Sequence, residues 1–381
     1  MMLINSKLPT VGTTIFSVMS KLAQEHNAIN LSQGFPDYPA DPKLIKLVAD
    51  AMKNGHNQYA PMPGLMSLRE LIAEKTANFY QANYDPDTEI TITAGGTQAI
   101  FTALAAVINP GDEVIIFEPA YDCYSPTVKL FGGLVKPFEL HAPDYKIDWE
   151  MVKKLFTANT KMIILNSPQN PTGSILSKAD IEALIKLTKN TDVMILSDEV
   201  YEHLVFDGEQ HQSVALYPEL RERSFVVASF GKLLHTTGWK LGYCLAPAKL
   251  MNEFRKVHQF NVFSVNTPMQ VAIGNYLKSE NVYTELPQFF QQKRDFFRKL
   301  LNETRFKLLP CKGAYFQCVS FAEISEEKDT DMAIRLIKDF GVASVPVSAF
   351  YTKGTDNKVL RFCFAKEQDT LEKAVERLIK I

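Results

Sequence analysis

Short apolar runs, each ending in small or polar residues, recur through the middle of the chain. Ile90-Thr91-Ile92-Thr93 leads into Ala94-Gly95-Gly96, and Val114-Ile115-Ile116-Phe117 into Glu118-Pro119. Met162-Ile163-Ile164-Leu165 leads into Asn166-Ser167-Pro168, and Val193-Met194-Ile195-Leu196 into Ser197-Asp198-Glu199. Phe225-Val226-Val227-Ala228 leads into Ser229-Phe230-Gly231-Lys232. Each run has strand length and is apolar on both faces, as a strand covered on both sides requires. Helical periodicity lies between them. Residues 97–108 set Ile100, Ala103, Leu104, Val107 and Ile108 on one face, and residues 177–189 open with Ser177 and Asp180 at capping-box spacing before Ile181, Leu184 and Ile185. Alternating strands and helices predict an α/β fold built on a large, doubly wound, mostly parallel sheet.

The ends of the chain read differently. The first forty residues are irregular, with Gly34-Phe35-Pro36 and Tyr38-Pro39 as turns. A long charged helix is predicted over 281–302, short strands over 314–319 and 359–364, and a last helix over 370–381 that buries Leu371, Ala374, Val375, Leu378 and Ile379. The division expected is a large domain over 41–273 and a smaller α+β domain formed by 1–40 with 274–381. A length of 381 residues accommodates two such units.

Charge narrows the partners. With 41 Lys plus Arg against 43 Asp plus Glu, the net charge is −2. That is no nucleic-acid footprint, and it argues against an anionic membrane surface. An anionic ligand would need positive charge placed locally. The five cysteines are odd in number, scattered and free of a C-x-x-C, so a reduced cytoplasmic setting is expected rather than a disulfide framework. No apolar run reaches membrane-spanning length, and the N-terminus carries no secretory h-region. The seven histidines are scattered, so no metal site is expected, and no G-x-S-x-G elbow is present.

In an open parallel sheet, ligands bind beyond the carboxyl ends of the strands. Gly95-Gly96-Thr97 there is either an ordinary turn or a phosphate cradle at a helix N-terminus. Lys232 is either a loop lysine or a shielded amine able to form a Schiff base. Asp198 is either a helix cap or the partner of a cationic ring nitrogen, with Tyr201 three residues on sharing a helical face. Asn170-Pro171-Thr172-Gly173 is a turn whose Asn could serve a ligand. Arg361, flanked by Leu360 and Phe362, is either a structural ion pair or a carboxylate fork.

Taken in order, from Ser32-Gln33-Gly34-Phe35-Pro36 to Arg361-Phe362, these residues resemble the pyridoxal-phosphate aminotransferases of fold type I. The most specific stretch is Ser229-Phe230-Gly231-Lys232 with Gly238-Trp239-Lys240-Leu241-Gly242. Within the family, Glu118-Pro119-Ala120-Tyr121-Asp122-Cys123-Tyr124 and Gly238-Trp239-Lys240 look like the branch of bacterial methionine aminotransferases and kynurenine–oxoglutarate/glutamine transaminases.

The resemblance implies pyridoxal 5′-phosphate as cofactor, linked to Lys232 as an internal aldimine. Asp198 would meet the ring nitrogen, Tyr201 and Asn170 the 3′ oxygen, and Tyr121 the ring face. Gly95, Gly96, Thr97, Ser229 and Lys240 would hold the phosphate, with Tyr59 reaching the site of a neighbouring subunit in a homodimer. Arg361, Gly34 and Asn170 would hold the substrate carboxylate. Phe16, Tyr38 and Phe350, with Ile15 and Phe35, would favour a bulky uncharged side chain, that of methionine or an aromatic amino acid, with a 2-oxo acid as acceptor. A cysteine-conjugate β-lyase on the same scaffold and a non-catalytic regulatory protein are the alternatives. Many aminotransferases carry Arg where this chain has Lys240, which acts as a point charge rather than a fork, and the branch it resembles shares the Lys.

Overall fold

The computed structural model describes residues 5–278 and 281–381, so the first four residues of the N-terminal segment lie outside it. A short strand β1 (Ile29–Asn30) precedes the large sheet. That sheet comprises β2 (Ile90–Thr93), β3 (Glu113–Glu118), β4 (Leu134–Glu139), β5 (Thr160–Asn166), β6 (Met194–Asp198), β7 (Ser224–Ser229) and β8 (Gly242–Leu245). Its spatial order is β2-β8-β7-β6-β5-β3-β4. Pairing is parallel from β4 through β7, and β8 runs antiparallel to both β7 and β2.

All five predicted strands form, because consecutive apolar residues serve opposite faces. On one face Val114, Ile116, Leu196, Phe225 and Val227 pack with Ile100 and Leu104 of the helix Gly96–Val107 and Phe254 of the helix Ala248–Asn261. On the other, Ile115, Ile163, Ile195 and Val226 share a core with Ile181 and Leu184 of the helix Lys178–Thr188. The Ser177–Asp180 capping box is made at its N-terminus. Fully burying one such side chain contributes about 1.5–3 kcal/mol.

A smaller antiparallel sheet follows, from β9 (Lys307–Leu308), β10 (Phe316–Ser320), β12 (Val345–Pro346) and β13 (Val359–Cys363), while β11 (Val342–Ala343) pairs with β1. Arg361 sits opposite Cys318 in the β10–β13 ladder. The long helix is Val282–Leu301. The last helix, Gln368–Leu378, buries Leu371, Ala374, Val375 and Leu378 as predicted. Ile379 is a correction: it follows the helix and is 45% exposed. Among the described residues no helix is long and apolar enough to cross a membrane.

Candidate active site

A cavity of about 140 Å³ opens beyond the ends of β2, β5, β6 and β7. Gly95, Gly96, Thr97, Tyr121, Asn170, Asp198, Tyr201, Ser229, Lys232 and Lys240 all line it. Residues separated by up to 145 positions are therefore neighbours because parallel strands deliver their ends to one edge.

One pole of the cavity suits an anion. Gly95 caps the helix Gly96–Val107 at φ +83°, a backbone geometry that a side chain would strain. A Cβ added to Gly95 would stand 3.5 Å from Lys240 Nζ. The first-turn N–H groups of that helix have no intrahelical acceptor, and they share the pole with Ser229 and Lys240. Tyr121 hydroxyl lies 3.3 Å from Thr97 Oγ1.

The same cavity is also lined by a buried carboxylate. Asp198 ends β6, where its Oδ2 accepts a 2.5 Å bond from Tyr124 hydroxyl and its Oδ1 a 3.3 Å bond from Val200 N–H. Burial raises its pKa to about 6, and both bonds moderate the rise. At neutral pH it is a carboxylate with no cation bonded to it among the described residues, which suits a ligand that brings a cationic N–H. The segment from Asp198 to Tyr201 is a turn rather than the expected helical face, and it still brings both residues to the cavity.

Lys232 belongs to the short helix Phe230–Leu233 that begins where β7 ends. Its Nζ donates to Tyr315 hydroxyl at 2.6 Å and to the Gly34 carbonyl at 3.2 Å. Burial lowers its pKa to about 8, and the Arg361 and Lys240 charges add to that effect while Cys363 and Asp198 oppose it. An amine so poised is partly neutral, and thus nucleophilic, near neutral pH.

Arg361 is fully buried in β13, its guanidinium 4.0 Å above the Phe316 ring. Nη1 donates to Asn170 Oδ1 at 2.6 Å and Nη2 to the Ser32 carbonyl at 2.7 Å, while Nε finds no partner in the structure. Among the described residues no carboxylate is bonded to it, so none of them forms the structural ion pair. Asn166 fixes Asn170 from below, accepting from Asn170 N–H at 2.8 Å and donating to the Asp198 carbonyl at 2.9 Å.

Phe16 and Phe350 touch each other, with ring centroids 5.7 Å apart, and the guanidinium lies against the pair at 5.2 and 5.6 Å. Tyr38 is placed elsewhere. Its ring meets His235 and Phe289 edge-on, beneath Lys293, around a separate cavity. Tyr59 is 82% exposed and rests on Phe263, outside the cavity of its own chain. Sequence reasoning missed Tyr315, Ser32 and the role of Tyr124. Tyr124 stood in a quoted motif; nothing in the sequence pattern marks a bond between residues 315 and 34.

This donor set fits the pyridoxal phosphate that the resemblance implies. An anion-binding pole, an uncompensated buried carboxylate and an amine of lowered basicity line one cavity, in keeping with a phosphate, a pyridinium nitrogen and an aldehyde.

Comparison with known proteins agrees. The sequence model of the family described as aminotransferase class I and II matches residues 26–378. The chain is 46% identical over 374 residues to the methionine aminotransferase of Escherichia coli (strain K12), spanning 98% of this chain and 97% of that protein. A crystal structure from Escherichia coli that identifies a methionine aminotransferase function superposes with a TM-score of 0.98 at 46% identity, covering 100% of each chain. Human kynurenine–oxoglutarate transaminase 1 is 33% identical over 396 residues, 94% of each protein.

Proposed function

The chain belongs to the class I and II aminotransferases, and from that membership we propose that methionine and other bulky, uncharged L-amino acids, the aromatic ones included, are its amino donors, with a 2-oxo acid as acceptor. As a member of the class it is a pyridoxal 5′-phosphate-dependent transaminase. The observation that carries the substrate reading is Arg361, buried against the touching rings of Phe16 and Phe350. A carboxylate held by that guanidinium lies among aromatic rings. His258, the one cationic or potentially cationic side chain between Lys256 and Lys278, does not offer a second cation to a dicarboxylate: it is buried beside Phe254 and Gln98 behind the helix Gly96–Val107. That the Escherichia coli relative is a methionine aminotransferase supports the same reading. The relatives named are transaminases, which favours transfer over β-elimination, and the retained Lys232, Asp198 and Arg361 favour a catalyst over a regulator.

When bound, the cofactor supplies an electron sink that acidifies the substrate Cα–H. The chain does the rest. Lys240, Ser229 and the first turn of the helix Gly96–Val107 would hold the phosphate, Asp198 the ring N–H, Tyr201 and the amide of Asn170 the 3′ oxygen, and Tyr121 the ring face. Arg361 orients the substrate through its carboxylate, with Asn170 joining the two subsites. Lys232 Nζ, neutral when deprotonated, would take the proton from the substrate Cα and hand it on to the cofactor's C4′.

Tyr59 and Phe263 form an exposed aromatic pair, and Phe260, three residues before Phe263, is 86% exposed. We assign this patch to a homodimer interface in which Tyr59 meets the partner's phosphate pole. All five cysteines are free, as a reduced cytoplasmic setting expects.

An initial-rate panel tests the substrate reading. Methionine, phenylalanine and tyrosine should exceed aspartate and glutamate in kcat/KM by about tenfold or more, the equivalent of about 1.4 kcal/mol. Faster turnover of the dicarboxylates would sink it. Arg361→Lys keeps a charge but loses the fork, so KM for amino and 2-oxo acids should rise about 10- to 150-fold, from about 1.5–3 kcal/mol of lost charged hydrogen bonding. An unaltered KM would return Arg361 to a structural role.

A further inference from the structure

The Lys232 amine lies in a closed triangle of hydrogen bonds. It donates to Tyr315 hydroxyl at 2.6 Å and to Gly34 carbonyl at 3.2 Å, and Tyr315 hydroxyl donates to the same carbonyl at 2.5 Å. A carbonyl can only accept, so the single hydroxyl hydrogen points at Gly34 and the oxygen presents a lone pair to Lys232. The ring cannot swing away. It is fully buried, edge-on to Tyr201 at 5.1 Å and to Phe316 at 4.8 Å, with Phe290 at 5.7 Å. Gly34 is fixed as well: a Cβ there would fall 2.9 Å from Phe316 Cζ, so a residue with a side chain could not bring its carbonyl this close without displacing that ring.

We propose that Tyr315 is a positioning residue for Lys232, its gripped hydroxyl holding the free amine toward the N-terminal segment that also secures Arg361. The link is short: Ser32, two residues before Gly34, gives its carbonyl to Arg361. The inference rests on the aminotransferase reading, since only there is Lys232 released and required to carry a proton. An acceptor on a nitrogen is worth most when that nitrogen is charged. Tyr315 therefore steadies the ammonium formed when Lys232 has taken the substrate proton, and aims it for return.

The other groups facing the amine set the background. Arg361 and Lys240 oppose its charge. Asp198 and the Cys363 thiol favour it, and the rings of Tyr201 and Tyr315 lie 5.4 and 5.2 Å from Nζ. Removing the Tyr315 oxygen deletes an acceptor from the amine, and with it the interaction that Tyr315 makes with the Tyr201 hydroxyl, but leaves the charged groups in place, so the amine should lose its proton at a lower pH.

Tyr315→Phe tests this, with the ring contacts kept. Apoprotein is mixed with pyridoxal phosphate across a pH series, and the rate of capture is read from the growing visible band. Ionisations of the cofactor itself are common to wild type and variant. The wild-type rate should rise through a midpoint near pH 8, set by Lys232. The variant midpoint should lie lower by about one unit, as loss of one charged hydrogen bond implies. In the methionine half-reaction kcat should fall about tenfold or more with KM nearly constant, and the α-deuterium isotope effect should grow. A purely structural tyrosine would instead lower the apoprotein Tm and leave the pH midpoint in place. An unmoved midpoint with normal capture overturns the inference alone. No capture by wild-type protein overturns the cofactor reading, and the inference with it.

Discussion

Lys232→Ala should reduce turnover to background while leaving the fold intact. Lys232 and Lys240 are the lysines that line the cavity among the described residues, and Lys240 stands beside Gly95 at the anion pole. It cannot take over at the other end of the site. Loss of the amine removes both the covalent attachment and the positioned base. The base alone is worth about 10²–10⁴ in rate, and the attachment adds to it. Borohydride reduction of the loaded wild type followed by peptide mass analysis should find the pyridoxyl group on Lys232, and the variant should carry none. Weak cofactor binding should survive, because the phosphate pole and Asp198 are untouched. Stability should not suffer. Burial holds the Lys232 pKa near 8, below its ordinary value, so at pH 7 the fold either desolvates an ammonium or strips its proton. Alanine removes that cost, and the apoprotein should melt no lower than wild type. Normal turnover by the variant would refute the Schiff-base assignment.

The strands that carry the site were legible because a parallel sheet writes itself as apolar runs, and β5, β6 and β7 end in the polar residues Asn166, Asp198 and Ser229 that line the cavity. β4 was not legible. It lies at the sheet edge, half-buried, and Lys136, Pro137 and Glu139 break its apolar character. β8 is only four residues long and follows the Lys240 turn directly, so its sequence reads as a continuation of the loop. Asp198 and Tyr201 were read as sharing a helical face; a turn achieves the same convergence, because the end of β6 already points into the cavity. Tyr38 illustrates the reverse. Its place after Gly34-Phe35-Pro36 suggested the substrate pocket, but the aromatic surface of His235 and Phe289 takes the ring into another cavity. Tyr315 and Gly34 meet across 281 positions, and no local pattern encodes that contact.

Asp198→Asn should separate apoprotein stability from catalysis. Burial raises the Asp198 pKa from 3.8 to about 6. A carboxyl group whose folded pKa is raised contributes stability below its unfolded pKa and loses it as pH climbs through the folded value. Above pH 6 the unliganded carboxylate therefore costs the apoprotein roughly 3 kcal/mol, at about 1.4 kcal/mol per unit. Asparagine keeps the shape: its Oδ1 can still accept from Val200 N–H, while its Nδ2 stands where Oδ2 accepts from Tyr124 and would donate to that hydroxyl instead. The variant apoprotein should accordingly melt higher than wild type at pH 7.5, and the gain should vanish near pH 4, where Asp198 is neutral. With cofactor bound the order should reverse. A carboxylate opposite a pyridinium N–H is a buried charge pair, and removing one partner costs about 3–5 kcal/mol. An amide has no charge to stabilise the protonated ring, so the rate should fall by about 10²–10⁴-fold. Wild-type cofactor affinity should weaken as pH falls through about 6, because protonation removes the same charge, and the variant should lack that step. An unchanged rate together with an unchanged apoprotein Tm would take Asp198 out of the site.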